Sequence, residues 1–285
     1  MMLKENLDKV VLANLKLPLH HEPVLEKWTT FLSKLKHPTS EVTIGLVGKY
    51  IELKDAYKSI AESFIHAGVE NECKVNIEWI HSEKIDEHNV HDKLKDLSGV
   101  LVAPGFGDRG IEGKITAIKY VREHKIPFLG VCLGMQCAVI EYARNVLGLK
   151  DAHSTEMNKD TKNPVIDLMP NQKNISQKGG TMRLGEYPCT VTKGTKTATA
   201  YGKSKIAERH RHRYEFNNKF LKKFEDAGMI ASGINTQDNL VEMIEIKNHP
   251  WFVGVQFHPE YKSTAENPHP LFVRFVKAAM EYEKG

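Results

Sequence analysis

Cys132 stands in Gly130-Val131-Cys132-Leu133-Gly134, where an apolar run gives way to a helical pattern. Small residues two positions either side of a nucleophile permit the sharp strand-to-helix turn that lifts its side chain above a sheet. The unpaired N–H groups and the dipole of the following helix favour a thiolate, the attacking species. An arbitrary cysteine is more often an inert buried thiol; here the glycine bracket and the strand before it select a nucleophile. A thiolate that attacks a carbonyl needs a base to pass a proton to the leaving group, and a carboxylate to orient that base. His258 and Glu260 have this form, in Phe257-His258-Pro259-Glu260 at the end of a strong apolar strand. Two residues apart on an extended segment they share a face, so the carboxylate reaches the imidazole; Pro259 stiffens the turn. The chain has 14 histidines, so a lone one carries little weight; the strand before His258 and the glutamate after it single it out.

These side chains must be positioned by the elements around them. Phe128–Val131 reads as a short buried strand of a parallel sheet, and Met135, Ala138, Val139, Tyr142 and Val146 mark one face of the next helix. Glu41–Gly48 is the first strand, Lys74–Ile80 alternates as a strand and Gly99–Ala103 is a buried one. Helices are expected over Asp55–Ala67, striped by Ile60, Ala61, Phe64 and Ile65, and over the segment carrying Ile111, Ile115, Ile118 and Val121. The turn from Pro104 to Gly110 has glycines at 105, 107 and 110, which suits backbone N–H groups aimed at an anion or oxyanion. Repeated strand–helix–strand units predict an α/β fold: an open, mostly parallel sheet with helices on both faces, flavodoxin-like in its three layers. Its site is expected at the carboxyl ends of the strands.

Periodicity is lost from Lys150 to Pro188, a stretch holding Gly179–Gly185; a loop of that length is functional or disordered. Residues 189–215 alternate as an added β-rich segment and end in Glu208-Arg209-His210-Arg211-His212-Arg213-Tyr214-Glu215. Alternating His and Arg suits a metal site, an anion site or a solvated strand face, and no HExxH or Cys/His pair supports metal. A helix over Lys219–Ala227, strands over Met229–Ile234, Val241–Ile246 and Trp251–Gln256, and a helix over Pro270–Lys284 complete the chain, the last with proline at its start.

Composition narrows the class. The chain has 285 residues, 41% apolar and 27% charged, with net charge +4. That is enough for one large α/β domain with an appendage, or for two small domains, and too mildly basic to argue for nucleic acid. No run of 18 apolar residues predicts a membrane span. Cys73, Cys132, Cys137 and Cys189 follow no disulfide framework, which suits a reducing, cytoplasmic setting. Gly45–Tyr50 resembles a phosphate loop, but Tyr50 stands where Ser or Thr is required, so a strand-end turn is expected.

Taken together, these motifs resemble the class I glutamine amidotransferases, and within them the glutaminase domains of the CTP synthase family. The resemblance rests on Gly45–Tyr50 with Asp55-Ala56-Tyr57, Gly130–Gln136, Ser154-Thr155-Glu156, Gly179–Gly185, Arg209–Glu215 and Gln256–Glu260. It covers about residues 41–285, with residues 1–40 resembling the family's linker and the tail of a synthetase domain missing from this chain. Ala103-Pro104-Gly105 stands where the family more often has Pro-Gly-Gly, and Tyr261 where Phe is commoner. The resemblance implies Cys132 as nucleophile, His258 as base and Glu260 as its partner, with Gly105 and the Leu133 amide as oxyanion hole. It implies glutamine held at Gly105, Leu133, Gln136, Glu156 and Arg213; an α-amino group suits Glu156 and an α-carboxylate suits Arg213. It further implies no cofactor and no metal in this domain, L-glutamine as substrate and an N-terminal amidoligase domain as partner. That domain would use ATP, UTP and Mg²⁺, with GTP as activator, in a homo-tetramer. The competing readings are a γ-glutamyl hydrolase or peptidase on the same scaffold, and a regulatory or assembly module.

Overall fold

The computed structural model describes residues 4–19, 24–168 and 182–284. Helices α1 (Leu7–Asn14) and α2 (Glu26–Lys36) come first and bury no residue. There follow β1 (Ser40–Gly48), α3 (Lys58–Glu70), β2 (Cys73–His81), α4 (Val90–Leu94), β3 (Gly99–Val102), α5 (Ile111–Glu123), β4 (Phe128–Val131) and α6 (Leu133–Asn145). The middle of the chain holds β5 (His153–Ser154), β6 (Pro164–Leu168), β7 (Arg183–Val191), α7 (Lys196–Tyr201), β8 (Lys205–His212) and β9 (Tyr214–Phe216). The end holds α8 (Leu221–Ala227), β10 (Met229–Asn235), β11 (Leu240–Ile246), β12 (Phe252–Val255) and α9 (Pro270–Glu283).

The main sheet runs β2-β1-β3-β4-β12-β11-β10-β7-β8. Its first five strands pair in parallel, and the rest join antiparallel. Every residue of β3, β4 and β12 is buried, as strands covered on both faces must be. One face packs Val100, Val102, Phe128 and Phe252 against α4, α5, α6 and α8. The other packs Leu101, Leu129, Val131 and Val253 against Phe64 of α3 and Phe272 and Phe275 of α9, with Phe64 and Phe272 edge to face at 5.4 Å. The expected open sheet with helices on both faces is therefore present. β5, β6 and β9 form a second, three-stranded sheet.

Some local readings change. Ile65 and Val146 are 46% and 39% exposed; the buried stripe of α3 runs through Ile60, Phe64 and Ala67 instead. The stretch read as aperiodic contains β5 and β6 and the start of β7, because strands of two and five residues are too short to display a period. Gly179, Gly180 and Thr181 of that stretch lie outside the described residues. α7 interrupts the β reading of 189–215; the Thr195 side chain caps it by accepting from the Ala198 N–H, and Gly202 ends it at φ 65°. Gly45 lies inside β1, and the Lys49 ammonium donates to the Phe106 carbonyl, so Gly45–Tyr50 is a strand end and no phosphate cradle.

Candidate active site

The three central parallel strands each deliver one part of the site at their carboxyl ends. β3 leads to Gly105, β4 to Cys132 and β12 to His258 and Glu260, and Val102 pairs with Gly130 while Val255 pairs with Val131. Cys132 therefore sits between the turn that offers backbone amides and the turn that offers a base.

The elbow is as tight as the glycine bracket suggests. Cys132 has φ 53° and ψ −104°, a conformation that costs a non-glycine residue energy and is kept where the surroundings over-determine it. A side chain at Gly130 would begin 2.8 Å from the Gly134 backbone, and one at Gly134 would begin 2.2 Å from the Val102 carbonyl oxygen. Both glycines are thus required by close backbone approach. The Cys132 amide donates to the Val255 carbonyl at 2.7 Å, tying the elbow to the strand that leads to His258.

His258 Nδ1 and Glu260 Oε1 lie 2.8 Å apart, both residues buried. The route differs from the expected extended segment: Pro259–Lys262 is a 3₁₀ turn, and it is the turn that folds the carboxylate back onto the ring. Burial alone would lower the His258 pKa, but interaction with Cys132 and with Glu260 outweighs it and raises the imidazole to about 11. Nε2 is buried without a hydrogen-bond partner among the described residues, so it is available to a reacting group.

Gly105, Cys132, Gln136, Glu156 and Arg213 line one hollow, together with Phe106, Met182, His212 and Tyr214. Leu133 packs beside Gly105, its Cδ2 being 3.4 Å from where a side chain at Gly105 would begin. The free volume is about 20 Å³, room for a water molecule only. The second, small sheet supplies the polar walls: Glu156 follows β5 and Arg213 precedes β9. Burial raises the Glu156 pKa, while the Gly107 amide, Arg213 and Lys49 oppose that shift.

The His/Arg run resolves by strand alternation. His210 and His212 are buried while Arg209 and Arg211 are exposed, so only one face of β8 is solvated. Burial, helped by nearby positive charge, lowers His210 to about 2 and His212 to about 3, leaving both rings neutral. They join a buried group with Arg183, Glu215 and Glu242, in which Arg183 pairs with Glu242 at 2.6 Å. Among the described residues no three His, Cys, Asp or Glu side chains converge as metal ligands.

Two residues near the reacting centre were not singled out from the sequence. Lys114, fully buried on α5, donates to the Ala103 carbonyl at 2.9 Å and anchors the turn that presents Gly105; burial lowers its pKa. Gln256, fully buried, donates to Cys132 Sγ at 3.7 Å. A polar residue ending the apolar run from Trp251 to Val255 was the available signal for the second, and a lysine amid Ile111, Ile115 and Ile118 for the first.

Comparison with known proteins follows the same lines. The family described as glutamine amidotransferase class-I matches residues 52–278. A CTP synthase from Cytophaga hutchinsonii is 65% identical over 285 residues, covering 100% of this chain and 53% of that protein. One from Christiangramia forsetii is 62% identical over 282 residues, 99% of this chain and 52% of that protein. The chain thus spans about half the length of these curated relatives. Among solved structures, the Trypanosoma brucei CTPS glutaminase domain with bound acivicin superimposes with TM-score 0.80 at 35% identity, covering 84% of this chain and 94% of that one.

Proposed function

The chain belongs to the class I glutamine amidotransferase family, as a glutaminase domain of the CTP synthase type, and on that premise we propose how its residues carry the reaction. The Cys132 thiolate attacks the side-chain amide carbon of L-glutamine. The resulting oxyanion is held by the amides of Gly105 and Leu133, a contribution worth roughly 10²–10³ in rate for each such donor. The His258 imidazolium gives its proton to the amide nitrogen and ammonia leaves, forming a γ-glutamyl thioester. Neutral His258 then takes a proton from water, whose oxygen attacks the thioester and releases glutamate and the thiolate. Glu260 keeps the ring oriented and charged during the first step. Arg213 takes the α-carboxylate and Glu156 the α-ammonium.

The observation that carries this reading is the single hollow in which Cys132 meets both Glu156 and Arg213. A free amino acid carries an α-carboxylate and an α-ammonium, which these two charged side chains match. The ammonia passes to an amidoligase portion such as the relatives' remaining length would supply, joined through residues 1–40 in a cytoplasmic homo-tetramer. There UTP is aminated with ATP and Mg²⁺, and GTP acts as activator. Among the described residues no three His, Cys, Asp or Glu side chains converge to hold a metal ion such as Mg²⁺. Ammonia release from L-glutamine, lost in Cys132→Ala, with no amine released from a γ-glutamyl peptide, tests the assignment. Retained release in Cys132→Ala, or activity on the peptide alone, would overturn it.

A further inference from the structure

Gln256 sits at the end of β12, two residues before His258, with its side chain fully buried. Three hydrogen bonds fix which way its amide points. The Tyr214 backbone carbonyl can only accept, so the Gln136 group 3.0 Å from it must be the NH₂. The same Gln136 NH₂ lies 3.2 Å from one terminal atom of Gln256, which must then be the oxygen. The remaining terminus of Gln256, 3.7 Å from Cys132 Sγ, is therefore its NH₂. Assigning this amide from its network leaves no free choice of orientation.

The sulfur is thus flanked by groups of opposite preference. The Arg211 carbonyl, 4.0 Å away, can only accept and suits the protonated thiol. The Gln256 amide can only donate from this face and suits the thiolate. His258 is the charged partner on the same strand end, itself held by Glu260.

We propose that Gln256 is a catalytic residue of this site, a fixed neutral donor that stabilises the Cys132 thiolate and aims its Sγ into the hollow, with Gln136 as the positioning residue that holds its orientation. The proposal rests on Cys132 being the nucleophile. It gives Gln136 a role apart from any contact with glutamine: its NH₂ is already committed to Tyr214 and Gln256.

A donor to an ionised acceptor is worth more than a neutral pair, and its loss should cost about one pH unit, a ten-fold change in thiolate fraction at any pH well below the midpoint. Iodoacetamide labelling of Cys132, followed by peptide mass spectrometry across pH, reads this directly. Gln256→Met keeps the volume and removes the donor; Gln256→Glu keeps the shape and replaces the donor with an acceptor. The alkylation midpoint should rise by about one unit in Gln256→Met and further in Gln256→Glu, with ammonia release at pH below that midpoint falling about ten-fold or more. Gln136→Met should shift the midpoint in the same direction but less. Circular dichroism on each variant identifies any that misfold, and either folded Gln256 variant suffices. An unchanged midpoint in a folded Gln256 variant overturns the proposal while leaving the nucleophile in place; failure of Cys132 to label in the unsubstituted chain overturns the nucleophile assignment instead.

Discussion

The backbone amide of Cys132 donates to the carbonyl of Val255 at 2.7 Å, so Cys132 and the turn carrying His258 are parts of one hydrogen-bonded frame. On the other side, Gly134 presses against the Val102 carbonyl at the start of the Gly105 turn. Gly134→Ala should therefore separate β3 from the elbow. Overpacking of this kind costs about 1–3 kcal/mol, and displacement of an oxyanion donor about a hundred-fold in turnover. Thermal unfolding and ammonia release measure the two effects; unchanged turnover would mean that the elbow does not depend on this contact.

His258→Ala should abolish turnover, and Glu260→Gln should lower it less while moving its alkaline limit. The His258 pKa is raised to about 11 with Glu260 among the causes, so the protonated ring persists far above its ordinary range. Removing the carboxylate draws that value down, and the imidazolium needed to protonate departing ammonia is lost at lower pH. The pH–rate profile of Glu260→Gln should accordingly fall off earlier on the alkaline side.

Arg213→Ala should chiefly weaken glutamine binding, since its guanidinium is assigned to a carboxylate remote from the reacting amide. Loss of one charge-assisted hydrogen bond costs roughly 1.5–3 kcal/mol, about ten- to a hundred-fold in KM, with a smaller change in kcat. An unchanged KM would remove Arg213 from the substrate wall.

Much of this arrangement was legible in the sequence because its parts lie on short, fully buried strands. Phe128–Val131 and Trp251–Val255 can be read as apolar runs, and whatever follows such strands in a parallel sheet falls on one edge. Glu156 and Arg213 were reachable only through the family resemblance, because they hang on a small sheet whose strands are too short to show a period. The Glu260–His258 pair was correct in its partners but not in its path, a 3₁₀ turn being indistinguishable from an extended segment over three residues containing proline. The burial of His210 and His212 depended on which side of β8 faces the core, and a strand alternating between two polar residue types does not reveal that.

Acid should weaken the fold through buried neutral histidines. His249 is lowered to about 4, chiefly by burial, from an ordinary 6.5. Below 6.5 the unfolded chain takes up a proton that the folded chain refuses. The contribution of His249 is thus complete above about 6.5 and declines as pH falls towards 4, at about 1.4 kcal/mol per pH unit. Relative to His249→Gln, the unsubstituted chain should lose about 2 kcal/mol between pH 6.5 and 5 in urea unfolding. A stability difference independent of pH would contradict the assignment.

The central claim is that a single thiol performs the chemistry. Cys137 is fully buried and pushed up to about 12, chiefly by burial, and burial likewise raises Cys73 and Cys189. The most direct measurement is reaction of the chain with a glutamine analogue bearing a chloroketone in place of the amide, followed by peptide mapping. One adduct is expected, on Cys132, forming in step with loss of ammonia release and prevented by excess glutamine. An adduct on Cys137 or Cys189, or inactivation that leaves Cys132 unmodified, would contradict it.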